Sequence, residues 1–174
     1  MKKFTAFTLS LVMAFSLAAC GSSSTSNDKA ASPDQTDMEY VKEKGTLVVG
    51  ITEFEPMDYK DASGEWIGFD ADMAKAFAEN LGVDVEFVEI DWDNKIIELD
   101  SKTIDCVWNG MTLSDEVLSG MECSNAYCNN AQVVILPQDK ADQYPDIKSL
   151  TDLSFAVEAG SAGEASAREN NLDY

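Results

Sequence analysis

The sequence predicts an α/β fold with substantial parallel pairing, and three observations carry that prediction. Short β-rich runs alternate with helical patterns from Met38 onward. One pattern, "DADMAKAFAENLG", puts Ala71, Ala74, Ala78 and Leu81 at helical spacing. The chain has 174 residues and 45% hydrophobic content, enough for a core of one domain or two small lobes.

The elements follow in order. "TLVVGI" is a short strand ended by polar residues. The alanine-spaced helix comes next, with Asp70 expected as its N-cap and Gly82 just past its end. Met73 and Phe77 are expected on its core face. "VDVEFVEI" alternates apolar and acidic residues, as a half-exposed strand does. "WDNKIIEL" reads as a short helix, "IDCVWN" as a strand, and "SDEVLSG" as a helical turn capped by Ser114. "AQVVILP" is strand-like and leads into the loop "QDKADQYPD". A second β–α unit begins with "LSFAVEAG" and "SAGEASAREN". In parallel sheets ligands bind beyond the carboxyl ends of strands, so the turns after "TLVVGI", "IDCVWN" and "FAVEA" are the places to look. Neither GxGxxG nor a P-loop occurs, so no nucleotide cofactor is indicated.

Composition narrows the function classes. Twelve cations against 32 acids give a net charge of −20. That balance argues against nucleic acid, which needs clustered Lys and Arg, and against electrostatic docking on anionic lipid. It suits a dispersed, secreted protein. The absence of histidine removes the commonest general base and every histidine-containing triad. No metal site is expected: "DWDNK" lacks the central glycine and distal glutamate of an EF-hand loop. No cofactor and no catalytic residue emerge.

The first twenty residues combine Lys2 and Lys3, an apolar run from Phe4 to Ala19, and small residues, the order of a secretory signal. The run is short for a membrane span, which takes about 20 apolar residues. "LAAC", Leu17 to Cys20, resembles a bacterial lipobox, which implies cleavage before Cys20 and lipidation of its thiol. The Ser-rich stretch after it reads as a flexible tether with a reach of about 20–24 Å. Of the remaining cysteines, Cys123 and Cys128 are the nearest pair. Export permits a disulfide, but three residues make no framework, and buried free thiols are the plainer reading.

Three segments, "KGTLVVG", "GEWIGFDADMAKAFAENLG" and "IDWDNKIIELDSKTIDCVWNGMTLSDE", together resemble family 3 extracellular solute-binding proteins, the polar amino-acid receptors of ABC importers. The resemblance runs from about Asp37 to the end, with "SLTDLSFAVEAGSAGEASA" similar to the opening of a second lobe. It implies a type II periplasmic-binding-protein fold, two α/β lobes that close about a hinge on a small molecule, with "VVILPQDK" as first crossover. The expected organisation is signal peptide 1–19, lipidated Cys20 and tether 20–36, lobe one 37–136, and hinge plus the start of an incomplete lobe two 137–174.

The resemblance also implies site positions. Phe54 and Trp92 match aromatic positions that wall the ligand, although the residues alone favour core for both. Asn109, Gly110 and Thr112 match the segment whose main chain and hydroxyl hold the ligand, and Ser161 a helix start on lobe two, where N–H groups suit an anion. The plainer reading of Thr112 and Ser114 is helix capping. A family turn of the form "MTxTxER" ends in an arginine that binds the ligand's α-carboxylate. Here "MTLSDEV" puts Val117 there, Ala162 replaces a hydroxyl residue, and Glu158 stands where a basic residue is found. Two explanations are open. Backbone amides from Gly110 to Thr112, with a donor from lobe two, hold a carboxylate, or the ligand is neutral or cationic and meets Glu53, Glu55 or Glu158.

The function implied is an extracytoplasmic, lipid-anchored binding protein that captures an amino acid or similar small polar solute for an ABC permease. The alternatives are a sensory module of the same fold and, further off, a dehydratase or transglycosylase. The lipobox opposes a sensor kinase, and no paired-acid signature marks an enzyme.

Overall fold

Thr36 starts the first helix because its hydroxyl accepts from the Glu39 N–H (3.3 Å) while the Glu39 carboxylate accepts from the Thr36 N–H (3.0 Å), a reciprocal capping box. The computed structural model describes residues 35–174, so the expected signal segment, Cys20 and nearly all of the tether lie outside the described residues. Helix α1, Asp37–Lys44, ends at Gly45, whose φ of 80° suits glycine. It delivers the chain into β1, Thr46–Ile51. A small antiparallel hairpin follows, β2 Tyr59–Lys60 with β3 Trp66–Ile67, then α2, Phe69–Leu81, and β4, Asp84–Glu89.

β1 is the centre of a three-stranded parallel sheet ordered β4-β1-β5, where β5 is Cys106–Val107. Thr46 stands opposite Asp84 and Ile51 opposite Glu89, while Val49 faces Cys106. The central position explains why β1 reads as a nearly continuous apolar run, and why β4 alternates. Val49 and Ile51 are fully buried. The main core joins Val41, Leu47 and Val49 to Ala74 and Ala78 of α2. Small alanines let the helix lie close on the sheet, with Val85 and Phe87 of β4 filling in from the side. Asp105 ties β1 to the β5 edge: its carboxylate accepts from the Val48 N–H at 2.7 Å and pairs with Lys44 at 2.6 Å.

Beyond β4 come a 3-10 turn at Trp92–Asn94, α3 Lys95–Asp100, and after β5 the short α4, Asp115–Gly120. Residues 136–174 gather around a separate cluster of Leu150, Ala167 and Leu172, with Leu136, Tyr144, Phe155 and Val157 against it. α5, Ala162–Glu169, is its helix.

Five expectations need correction. Asp70 does not cap α2. The helix begins two residues earlier, after Gly68, because the Pro56 and Met57 carbonyls accept from the Phe69 and Asp70 N–H groups. Its first donors therefore need no side-chain cap, and Asp70 is buried instead. Phe77 is not core: it is 40% exposed, and its ring packs T-shaped against Trp108. "AQVVILP" is extended but unpaired, since no strand among the described residues lies beside it, and Ile135 is 86% exposed. "LSFAVEAG" forms a single bridge, Ser154 to Asp173, in place of a strand. The strand expected in "IDCVWN" is cut to two residues.

Candidate functional site

The carboxyl ends of β1 and β5 and the start of α5 enclose an open cleft of about 740 Å³. All eight residues singled out from the sequence line it: Phe54, Trp92, Asn109, Gly110, Thr112, Val117, Glu158 and Ser161. Their surroundings differ sharply, and so does the chemistry each one has to spare.

Asn109 is buried and fully committed. Its Oδ1 accepts from the Thr52 N–H at 2.9 Å and its Nδ2 donates to the Thr52 hydroxyl at 2.8 Å. The amide thus clamps the end of β5 to the end of β1. Gly110, at φ 36°, lies against the Phe54 ring, and an added Cβ would sit 2.9 Å from it. Its N–H points away from the cleft and donates to Asp70 Oδ2 at 2.5 Å. The Thr112 hydroxyl accepts from Asn130 Nδ2 at 2.5 Å and from Gln132 Nε2 at 3.5 Å. The expectation of a Gly110 amide turned to an anionic ligand is therefore not met in this arrangement.

Trp92 is 8% exposed and Phe54 is 52% exposed, so one is a wall set into the core and the other an open flap of ring surface. Val117, buried on α4, adds an apolar patch, and its N–H is capped by Ser114 Oγ. On the opposite side Ser161 caps α5 by accepting from the Glu164 N–H at 3.1 Å. The Glu164 carboxylate accepts from the Gly160 N–H at 2.8 Å, so the chain's own acid occupies part of that helix start. Burial raises the Glu158 carboxyl above its ordinary range, the nearby Lys95 charge pulls it back, and Asp91 adds to the rise.

Lys95 was not singled out from the sequence, yet it lines the cleft and is only 4% exposed. Its Nζ donates to the Trp92 carbonyl and to the Gly160 carbonyl, each at 3.1 Å, and sits 5.0 Å from the Trp92 ring centre. No sequence signal marks it: α3 buries this lysine and leaves Ile97 65% exposed, the reverse of what hydropathy predicts.

Behind the Gly110 turn lies a buried acid pair. Asp58 and Asp70 are both inaccessible, and neither carboxylate oxygen of Asp58 has a hydrogen-bond partner among the described residues. Burial first, and the Asp70 charge second, push the Asp58 carboxyl up to about 7. The Ala71 N–H pulls it back slightly without reaching hydrogen-bond geometry. Tyr127 covers the pair from outside, stacked on Phe69 with ring centres 6.4 Å apart, and its hydroxyl is raised by burial and by Asp70. Cys106, Cys123 and Cys128 are all free thiols, and no cluster of metal-ligating side chains occurs among the described residues.

A family model described as bacterial extracellular solute-binding proteins, family 3, matches residues 47–171. The chain is 27% identical to the arginine-binding extracellular protein ArtP of Bacillus subtilis (strain 168) over 175 residues, covering all of this chain and 62% of that one. It is 32% identical to the L-cystine-binding protein TcyA of the same organism, over 92% of this chain and 59% of that one. Among solved structures it resembles the ancestral amino acid-binding protein AncCDT-1, a precursor of cyclohexadienyl dehydratase. There the TM-score is 0.75 and the identity 35%, over 78% of this chain and 61% of that one. The chain thus spans about three-fifths of the length of these relatives.

Proposed function

The chain belongs to the bacterial extracellular solute-binding proteins, family 3, and from that premise we propose that it captures an amino acid in the cleft between β1, β5 and α5 and delivers it to an ABC importer. The fold is the two-lobed, type II periplasmic-binding fold of its structural relatives. One observation carries the reading. Residues far apart in sequence, from Phe54 to Ser161, converge on one cleft that joins aromatic walls to charged groups of both signs. Such a mixture suits a small zwitterion, whose apolar part meets Phe54, Trp92 and Val117 while its charged ends meet Lys95 and the acids. Relatives named for binding arginine and cystine support the class of ligand.

Delivery to a permease fits an extracytoplasmic protein held at the membrane by lipid on Cys20, with residues 20–36 as tether. Cys20→Ser should shift the protein from the membrane to the soluble fraction, and continued membrane association would overturn the anchor. Ligand capture is tested by thermal unfolding of the full chain with the common amino acids, polyamines and short peptides. A true ligand at 100 times its Kd stabilises by about 2.7 kcal/mol. Absence of any shift across the panel would remove the binding role.

The protein works as a binder rather than an enzyme in this reading. A structural relative described as a precursor of a dehydratase makes the distinction worth measuring. Mass spectrometry of the bound solute after long incubation should return it unchanged, and conversion would reassign cleft acids such as Glu53 or Glu158 to catalysis.

A further inference from the structure

We infer that Lys95 is the group that binds the carboxylate of the solute, and that it limits the cleft to ligands carrying one carboxylate. This inference rests on the amino-acid reading above.

Three observations lead to it. The first is that an ammonium almost wholly buried has no carboxylate within ion-pair distance among the described residues. Two carbonyls, from Trp92 and Gly160, accept two of its three N–H donors. The third is left to the cleft that the side chain lines. A buried charge with no close ion pair is unfavourable, and an arriving anion relieves it.

Elimination supplies the second. Four other donors at or beside the cleft are already occupied within the protein. The Gly110 N–H goes to Asp70, the Asn109 amide to Thr52, the Gly160 N–H to Glu164, and the Glu164 N–H to Ser161. Among the described residues that line the cleft, Lys95 is the one cation.

Charge balance is the third observation. Glu53, Asp115, Glu116, Glu158 and Glu169 also line the cleft, five acids to one base. A solute with a single carboxylate satisfies Lys95, and its ammonium meets the acid side. A second carboxylate would face only like charge.

The position of Lys95 adds a structural consequence. Its bond to the Gly160 carbonyl crosses from α3 to the turn that starts α5, so the residue that binds the carboxylate also touches both walls. A residue that served only to tie those walls would affect every ligand equally. A residue that also binds the carboxylate affects acids and spares their amides.

Isothermal titration of the full chain with the twenty common amino acids and their α-carboxamides separates these cases. Wild type should prefer an acid over its amide by about 10- to 100-fold, the range of a charge-assisted hydrogen bond, and should not bind aspartate or glutamate. In Lys95→Met the acid and its amide should bind within about threefold of each other. Lys95→Gln keeps a donor for the two carbonyls without the charge and should show the same loss of preference, which guards against misfolding of the methionine variant. Either variant retaining the wild-type acid-to-amide ratio, including an equal weakening of both, would overturn the role of Lys95 while leaving amino-acid capture intact. Binding of neither acids nor amides by wild type would bring down the amino-acid reading and this inference together.

Discussion

Replacing Asp58 by asparagine should flatten the dependence of stability on pH between 5 and 8. The carboxyl is raised from 3.8 to about 7 in the folded protein, by burial and by Asp70. Below pH 4 it is protonated in both folded and unfolded chains and contributes no penalty. As pH rises past 4 the unfolded chain releases the proton while the folded one keeps it. Folding then takes up a proton, and stability falls with pH until the folded carboxyl ionises near pH 7. Three pH units at about 1.4 kcal/mol each amount to about 4 kcal/mol in all. By the same linkage about 2 kcal/mol is already lost at pH 5, which leaves between about 2 and 3 kcal/mol to be lost from pH 5 to pH 8.

The chain is well suited to this measurement because it has no histidine, so no side chain with an ordinary pKa titrates in that window. The groups facing Asp58 are Asp70 and the Ala71 N–H of α2, with Tyr127 on the outer side. Urea unfolding at pH 5, 6, 7 and 8 should give a falling curve for wild type and a nearly level one for Asp58→Asn. The buried amide brings its own cost of about 1–3 kcal/mol, but that cost is independent of pH and cancels from the slope. Parallel curves for the two proteins would refute the assignment of a buried, protonated Asp58. Since Asp70 holds the Gly110 N–H, the same titration reaches the turn that lines the cleft.

Three further substitutions probe close contacts and caps. Gly50→Ala puts a Cβ 2.5 Å from Ile104 Cδ1 and 3.3 Å from Ile90 Cδ1 in the middle of β1; it should cost about 1–3 kcal/mol in urea unfolding, and Ile104→Val should recover part of that. Gly160→Ala adds a Cβ 2.5 Å from Asp93 Oδ1 and 3.1 Å from Asp93 Cα, at a φ of 67°. It should lower the melting temperature and disturb the Lys95 bond to the Gly160 carbonyl, which an amide-resolved NMR spectrum of the α5 start would register. Thr36→Ala removes one half of the capping box and should cost about 1 kcal/mol with an unchanged urea m-value.

What the sequence disclosed, and what it hid, follows the range of the interactions involved. Gly82 at the end of α2, Ser114 before α4 and Ser161 before α5 were legible because each acts within four residues of itself. β1 and β4 were legible because burial on both faces, or on one, writes itself into hydropathy. Asp70 was misread because its partner, the Gly110 N–H, lies 40 residues on, and because carbonyls from residues 56 and 57 already serve the helix start. "AQVVILP" has the β-branched composition of a strand, but a strand needs a neighbour, and composition cannot supply one.

The cleft shows the same division. Its aromatic and polar members were found through an ordered set of motifs, whereas Lys95, although inside one of them, was read as part of a short amphipathic helix. The helix contradicts its own pattern there, exposing Ile97 and burying a lysine. A buried ammonium is costly, so a fold that keeps one needs a compensating partner in the working state. Here two carbonyls provide part of that partnership and the cleft is left to provide the rest. The residue that breaks the local rule is for that reason the one with most to say about what enters the cleft.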